Sequence, residues 1–557
     1  MININAGVKR GRRFAAVAGL SVGLVTALSA EVVKDPYDYK ELVTTASKPV
    51  ERRPGLFDFG KDGIGWLEFR GMPAGDYDIV IGELTNACGH VTNAYPKSTI
   101  RCQRLKGRID SAAYRVPMPP DKWNLRGYKA DAPAILLPER FGIVYPFRYV
   151  EIVKAPAAVA SDNLVRQMVH YPIDMSQSSF ACDNGTLNAV YEFCKYSMLA
   201  TSFCGVYVDG DRERTPYEGD AYINQLGHYA VENDYSLARK SHEWLMAHAT
   251  WPTEWKQHSI KIAWTDWMWS GDTRSLAKHY DALCGKLLGN FPRKDIVDWP
   301  KAERDGFVMT DSNSVVEAFN CRNLVEMSEI AAALGKKDEA ADFAAKAARA
   351  KADFRRRFID PSTRLVLDGE GVAHSSLHGN AAALAFGLVP EADVAKVVAF
   401  LDGKGMVCSV YFAQYLLEAF CAVGRADLAV KYMAADGDRG WKGMMDFGST
   451  ISMEAWNMTA KPNQDLNHAW GSAPLNIISR HLLGVTPAEP GFRRISVKPR
   501  LGGLRWMKGV VPTAVGPVRI DAKGDELTVE TPGPATIDWY GEIRNAARGV
   551  TRIKRRK

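Results

Sequence analysis

The chain has 557 residues, 46% hydrophobic and 10% aromatic, which is enough apolar material for more than one core and excludes a disordered or single small-domain protein. Its formal net charge is +7, but nine basic residues sit in the tails: Lys9, Arg10, Arg12, Arg13, Arg552, Lys554, Arg555, Arg556 and Lys557. Setting these aside leaves about −2 for the body, too little positive charge to drive phosphate binding by counterion release, so nucleic acid is not an expected partner.

Residues 1–30 read as a signal peptide: a basic start, an apolar run from Phe14 to Val25, and small residues ending at Ala30. The run is shorter than the ~20 residues a spanning helix needs. Arg12-Arg13 partly fits a twin-arginine signal. The expectation is a periplasmic or secreted protein with no membrane attachment once the leader is removed.

Residues 31–170 are expected to form a β-sandwich and linker. Trp66-Leu67-Glu68-Phe69-Arg70, Tyr77-Asp78-Ile79-Val80-Ile81 and Phe147-Arg148-Tyr149-Val150-Glu151-Ile152 alternate apolar and polar residues, the period of half-buried strands. Residues 171–485 are expected to form a helical domain, the period changing after about Asp183. Leu187, Val190, Tyr191, Cys194 and Met198 fall on one face, with Asp183 as the candidate N-cap. Further helices are predicted at 220–231, 236–249, 259–268, 273–288, 314–334, 339–358, 379–386, 391–401, 410–423, 425–434 and 468–483. Some dozen helices without a heptad repeat suit an (α/α)6 barrel, with its chemistry on the loops of one rim. Residues 486–557 return to alternation, as in Val518-Arg519-Ile520-Asp521, and predict a small C-terminal β-sandwich with a basic tail.

The nine cysteines form no C-x-x-C or Cys/His cluster, so zinc is not indicated. Cys88 and Cys102 flank a polar stretch and are read as either a disulfide or two free thiols.

Seven of the thirteen residues from Val208 to Asp220 are charged, yet apolar and aromatic residues flank them on both sides. The segment is either a solvated loop or a carboxylate-rich loop entering the folded body. As a calcium loop it fails, because Arg214 and Asp220 stand where Gly and Glu are required. Cleaving a glycoside without a cofactor takes two carboxyl groups, one protonated to donate to the leaving oxygen and one ionised. The second candidate is Glu454, alone beside Trp456 in neutral sequence. Downstream, His468 and Trp470 offer an imidazole and an indole. Trp255 and Trp299, read as loop residues, are candidate platforms for a sugar face, whereas Trp244, Trp264 and Trp267 suit a core.

These motifs resemble glycoside hydrolase family 78, the bacterial α-L-rhamnosidases with a six-hairpin barrel. The family pattern Asp-Cys-Pro-x-Arg-Glu-Arg-x-x-Trp-x-Gly-Asp is similar to Arg212-Glu213-Arg214-x-x-Tyr217-x-Gly219-Asp220, with Tyr217 in place of Trp and Asp209 aligned only if one residue is deleted. Thr450 to Trp456 resembles the family's Thr-x-x-x-Glu-x-Trp, Asp465 to His468 its Ser-Leu-Asn-His, and Pro490 to Ile495 the start of its C-terminal β domain. The resemblance implies Glu213 as general acid and Glu454 as general base of an inverting, exo-acting enzyme without metal or other cofactor. It implies a substrate site of Asp209, Arg212, Tyr217, Asp220, Trp255, Trp299, Trp456 and His468 for a terminal α-L-rhamnose on a plant or bacterial glycan or glycoside. Two other functions fit the same residues: a non-catalytic sugar-binding barrel, or a neighbouring six-hairpin glycosidase for another sugar. Oligomeric state stays open.

Overall fold

A computed structural model describes residues 39–118, 134–249, 253–290 and 295–555. The expected leader at 1–30, Trp251, Arg556 and Lys557 lie outside the described residues. No helix among the described residues is long and apolar enough to cross a membrane.

The alternating N-terminal segments form strands β1 (Val43–Ser47), β2 (Val50–Arg53), β3 (Leu56–Arg70), β4 (Gly75–Gly82), β5 (Cys102–Ile109), β6 (Ala113–Arg115), β7 (Tyr145–Lys154) and β8 (Leu164–His170). They hydrogen-bond as one eight-stranded sheet, with the path β1-β8-β3-β7-β4-β5 and with β2 and β6 also on β3. The reason for one sheet rather than two separate ones is β3. Its 15 residues shift register between Asp58 and Gly63, and it pairs with four other strands along its length. Leu67 and Phe69 point into a core shared with Phe57, Ile79, Ile81, Phe147 and Val150, while Arg70 faces solvent.

Among the described residues, strand β9 (Ser179–Cys182) precedes thirteen α-helices: α1 (Gly185–Ala200), α2 (Glu218–Tyr229), α3 (Ser236–Ala247), α4 (Thr253–Ser270), α5 (Arg274–Cys284), α6 (Ser314–Ala333), α7 (Lys337–Phe358), α8 (Leu377–Ala385), α9 (Val394–Lys404), α10 (Ala413–Ala422), α11 (Ala426–Met433), α12 (Trp441–Asp446) and α13 (Ala473–Ile477). Helix α1 buries the predicted face, but its cap is Asn184, whose side chain accepts from Leu187 N–H at 3.0 Å. Asp183 instead accepts from Arg505 Nε at 2.7 Å. Helix contacts run in a closed circuit: α2 packs on α4, α4 on α6, α6 on α8, α8 on α10, α10 on α13, and α13 back on α2. Outside it, α3 and α5 lie against α4, α7 against α6, α9 against α8, α11 against α10, and α1 against α13 and α2.

The chain ends in strands β10 (Val485–Pro487), β11 (Ile495–Val497), β12 (Trp506–Val511), β13 (Val518–Lys523), β14 (Glu526–Thr531), β15 (Ala535–Trp539), β16 (Glu542–Ala546) and β17 (Gly549–Lys554), arranged as two sheets, β10-β11-β15-β16 and β17-β14-β13-β12-β9. Strand β9, which lies within the expected helical domain at 171–485, is thus an edge strand of the C-terminal sheets. One continuous apolar core takes in Ile100 before β5, Phe180 in β9, Leu187 in α1 and Ile553 in β17. The N-terminal sheet meets the helical region through hydrogen bonds from Asp62 N–H to Thr450 Oγ1 at 2.7 Å and from Thr99 N–H to the Gln464 carbonyl at 3.2 Å. All nine cysteines are free, so the alternative of a Cys88–Cys102 disulfide is not formed.

Candidate active site

Two loops build the site. The first, between α1 and α2, reverses direction through hydrogen bonds from Arg214 N–H to the Gly210 carbonyl and from Asp209 N–H to the Thr215 carbonyl, both 3.1 Å. Gly210 has no room for a side chain: a Cβ there would lie 2.7 Å from an Asp465 oxygen and 2.9 Å from the Asn467 carbonyl. The second loop, from α12 to α13, presses against the first at that point. His468 N–H donates to the Ser452 carbonyl at 2.7 Å, Glu454 N–H to the Asp465 carbonyl at 3.4 Å and the Trp470 indole Nε1 to the Glu454 carbonyl at 3.1 Å, so the backbone of Glu454 is held at both its N–H and its carbonyl.

Between the loops lies a cavity of about 480 Å³ lined by Asp209, Arg212, Glu213, Tyr217, Asp220, Trp255, Trp299, Glu454 and His468, within the usual size of small-molecule sites. Nine of the ten sequence-predicted residues therefore converge. Trp456 does not: it is 1% exposed, its Nε1 donates to the Cys408 carbonyl at 2.7 Å, and its ring meets Trp441 edge-on at 5.1 Å. The backbone bends from Glu454 through Asn457, which turns Trp456 into the core while Glu454 faces the cavity. Trp470 lines the cavity instead. Trp255 also differs from its loop reading. Helix α4 begins six residues earlier than the periodicity predicts, so Trp255 lies in its first turn, near Trp470 and Tyr217, with ring centroids 6.2 Å away in each case. The preceding residue, Glu254, explains the early start: its buried carboxylate accepts from Ile296 N–H at 3.1 Å and from Val297 N–H, so it ties α4 to the loop that brings Trp299 to the cavity.

The electrostatics separate the two glutamates. Arg212 grips Glu454 with both arms of its guanidinium, Nη1 to Oε2 at 2.8 Å and Nη2 to Oε1 at 2.9 Å, and the same Nη2 lies 3.3 Å from Glu213 Oε1. Lys461 Nζ adds a contact of 2.8 Å to Glu454 Oε1. Burial pushes the Glu454 carboxyl up, but Arg212, Lys461 and His468 outweigh it and hold the group well below the ordinary carboxylate range. Glu213 has a different setting: its Oε2 accepts from Tyr217 Oη at 2.9 Å. Nearby, burial first and the neighbouring Glu213 carboxyl second push Asp209 well above its usual range.

His468 lies between two acids, Nε2 2.9 Å from Asp220 and Nδ1 3.3 Å from Asp465. Burial alone lowers its pKa, but the two carboxylates reverse that and hold it well above the usual value, as an imidazolium. This bears on metal binding. Among the described residues, Glu454, Asp465 and His468 bring ligand atoms within 4.8 Å of one another, yet a His ligand needs a free lone pair. His468 uses both nitrogens on carboxylates, and Glu454 is already neutralised by Arg212 and Lys461, so this donor set does not fit a cation. Trp470, the indole offered beside His468 in the sequence, also lines the cavity, as do Lys97, Thr99, Ile296, Lys461 and Asn463, which the sequence reading did not single out.

Known proteins match this architecture. The model of the bacterial alpha-L-rhamnosidase 6 hairpin glycosidase domain matches residues 175–482, and that of the bacterial alpha-L-rhamnosidase C-terminal domain matches residues 484–535. The chain belongs to this bacterial α-L-rhamnosidase family. An alpha-L-rhamnosidase of Alteromonas sp. (strain LOR) is 24% identical over 477 residues, covering 73% of this chain and 49% of the relative. The alpha-L-rhamnosidase structure from Dictyoglumus thermophilum superposes with a TM-score of 0.70 at 20% identity, covering 93% of this chain and 63% of that one. The Streptomyces avermitilis alpha-L-rhamnosidase complexed with L-rhamnose gives 0.72 at 17%, covering 93% and 53%. These structural likenesses show the fold, and the chain spans about half the length of the curated relatives it matches.

Proposed function

We propose that this chain is an exo-acting, inverting glycoside hydrolase that releases terminal α-L-rhamnose from plant or bacterial glycans or glycosides, without a cofactor. The observation that carries the reading is Arg212, one guanidinium bonded to both carboxylates of a lined cavity. Glu213, held by Tyr217, is the general acid that protonates the glycosidic oxygen. Glu454, kept ionised by Arg212 and Lys461, is the general base that activates water. Asp209, Arg212, Asp220 and His468 bind the hydroxyls, and Tyr217, Trp255 and Trp299 offer apolar surface to the ring and the C6 methyl. We read the helix circuit as an (α/α)6 barrel, the paired C-terminal sheets as a β-sandwich, and residues 1–30 as the leader of a periplasmic or secreted protein.

Because Arg212 Nη2 lies 2.9 and 3.3 Å from the two carboxylates, their nearest oxygens stand no more than roughly 6 Å apart, short of the ~6.5 to 9.5 Å of inverting pairs. Inversion is taken from the family resemblance, and the first-formed anomer decides it. A panel of aryl glycosides tests the substrate: hydrolysis of the α-L-rhamnoside with little on D-mannosides is expected. Tight rhamnoside binding without release would favour a non-catalytic sugar-binding barrel, and cleavage of another sugar alone would favour a different specificity.

A further inference from the structure

The turn that carries Glu213 is clamped from the N-terminal sheet region. Asp211, two residues before Glu213, is 1% exposed, and its carboxylate faces two guanidinium groups. Arg214 donates to Oδ1 from Nη2 at 2.7 Å and from Nε at 3.3 Å. Arg101, directly before β5, donates to Oδ2 from Nε at 3.0 Å and Nη2 at 2.6 Å. Burial pushes Asp211 up, but Arg101 and Arg214 hold it below the usual carboxylate range, so the group stays charged and gripped.

Arg101 is itself fixed. It is 5% exposed, its guanidinium lies 5.3 Å from the centroid of the Tyr145 ring, and its N–H donates to Glu83 Oε2 at 2.5 Å. Glu83 Oε1 accepts from Asn467 Nδ2 at 3.3 Å, and Asn467 Oδ1 accepts from Asp211 N–H at 2.7 Å. The circuit Arg101, Asp211, Asn467, Glu83 thus joins the sheet region to both catalytic loops. Arg214, beside Glu213, adopts a left-handed backbone with φ +52°, a conformation a residue with a side chain holds only when its surroundings enforce it.

We infer that Arg101 is a positioning residue for the general acid: by fixing Asp211 it sets the position from which Glu213 presents its proton to the leaving oxygen. This rests on the assignment of Glu213 as that acid. A displacement of about 1 Å at a reacting group costs ~10²-fold in rate, and a lysine, a point charge without the planar fork, does not hold Asp211 in the same way.

The test uses the full chain with Arg101→Lys and two α-L-rhamnosides, one with a dinitrophenyl leaving group that departs without protonation and one with an alkyl leaving group that requires it. The expected result is a kcat loss of ~10²-fold on the alkyl rhamnoside and under ~5-fold on the dinitrophenyl one, with KM little changed on either. Equal losses on both, or no loss, would overturn the inference, since a merely structural defect does not distinguish leaving groups. Asp211→Asn, which keeps a neutral acceptor of nearly the same shape, carries the same expectation if the lysine variant does not fold. Glu213→Gln run in parallel separates the two ideas. If its loss is also independent of the leaving group, the acid assignment fails; if only Glu213→Gln shows the dependence, the role of Arg101 fails alone.

Discussion

Glu213 and Glu454 are the same side chain in two environments. Glu454 is 3% exposed and touches two cations, whereas Glu213 is 14% exposed and meets a tyrosine hydroxyl and one nitrogen of the guanidinium that grips Glu454. A pair of carboxyl groups placed in unlike surroundings can divide acid and base work, because the surroundings decide which one holds a proton. The contrast teaches that the cations are distributed unevenly: Arg212 reaches both groups, but Lys461 serves Glu454 alone.

The strongest way to break that contrast is to remove either carboxylate. Glu213→Gln and Glu454→Gln should each cost ~10²- to 10⁴-fold in kcat on an unactivated rhamnoside with circular dichroism unchanged; near-normal turnover in either variant would remove that group from the chemistry. A weaker perturbation is Trp299→Ala, which takes an aromatic face from the cavity wall. KM should rise about tenfold with a smaller change in kcat, and an unchanged KM would place the sugar elsewhere.

Lys461→Met sharpens the comparison through pH. The base works ionised, and Lys461 helps hold the Glu454 pKa down. Without it that pKa rises, so the acidic limb of the kcat/KM profile should move to higher pH. An unmoved acidic limb would mean that Glu454 does not set it. The smallest effect on activity is expected from Trp456→Phe. It removes a buried hydrogen bond and some ring volume away from the cavity, so stability should fall by ~1–3 kcal/mol in urea unfolding while KM holds. A raised KM with unchanged stability would return Trp456 to the site.

What was legible in the sequence follows from how far along the chain each feature is encoded. The helices and strands showed through their periods, and Arg212, Glu213, Tyr217 and Asp220 through tight local spacing on one loop and the helix it enters. The N-terminal sheet was less legible as a single sheet, because the register shift that bends β3 at Asp58 to Gly63 leaves little mark on the alternation. The inward turn of Trp456 leaves no mark in the sequence, because adjacency to Glu454 says nothing of the bend that separates the two side chains. Lys461 and Asn463 carry no motif of their own. Lys97, Thr99 and Arg101 come from the N-terminal sheet region, more than a hundred residues before the acid loop, and only tertiary packing brings them to it.

The division of labour between the two glutamates is tested most directly by proton NMR of an aryl α-L-rhamnoside during the first minutes of hydrolysis by the wild-type chain, before mutarotation mixes the anomers. An acid and a base on opposite faces of the sugar release β-L-rhamnose first. Release of α-L-rhamnose first would contradict the account, because it requires one of the two carboxylates to attack the anomeric carbon as a nucleophile.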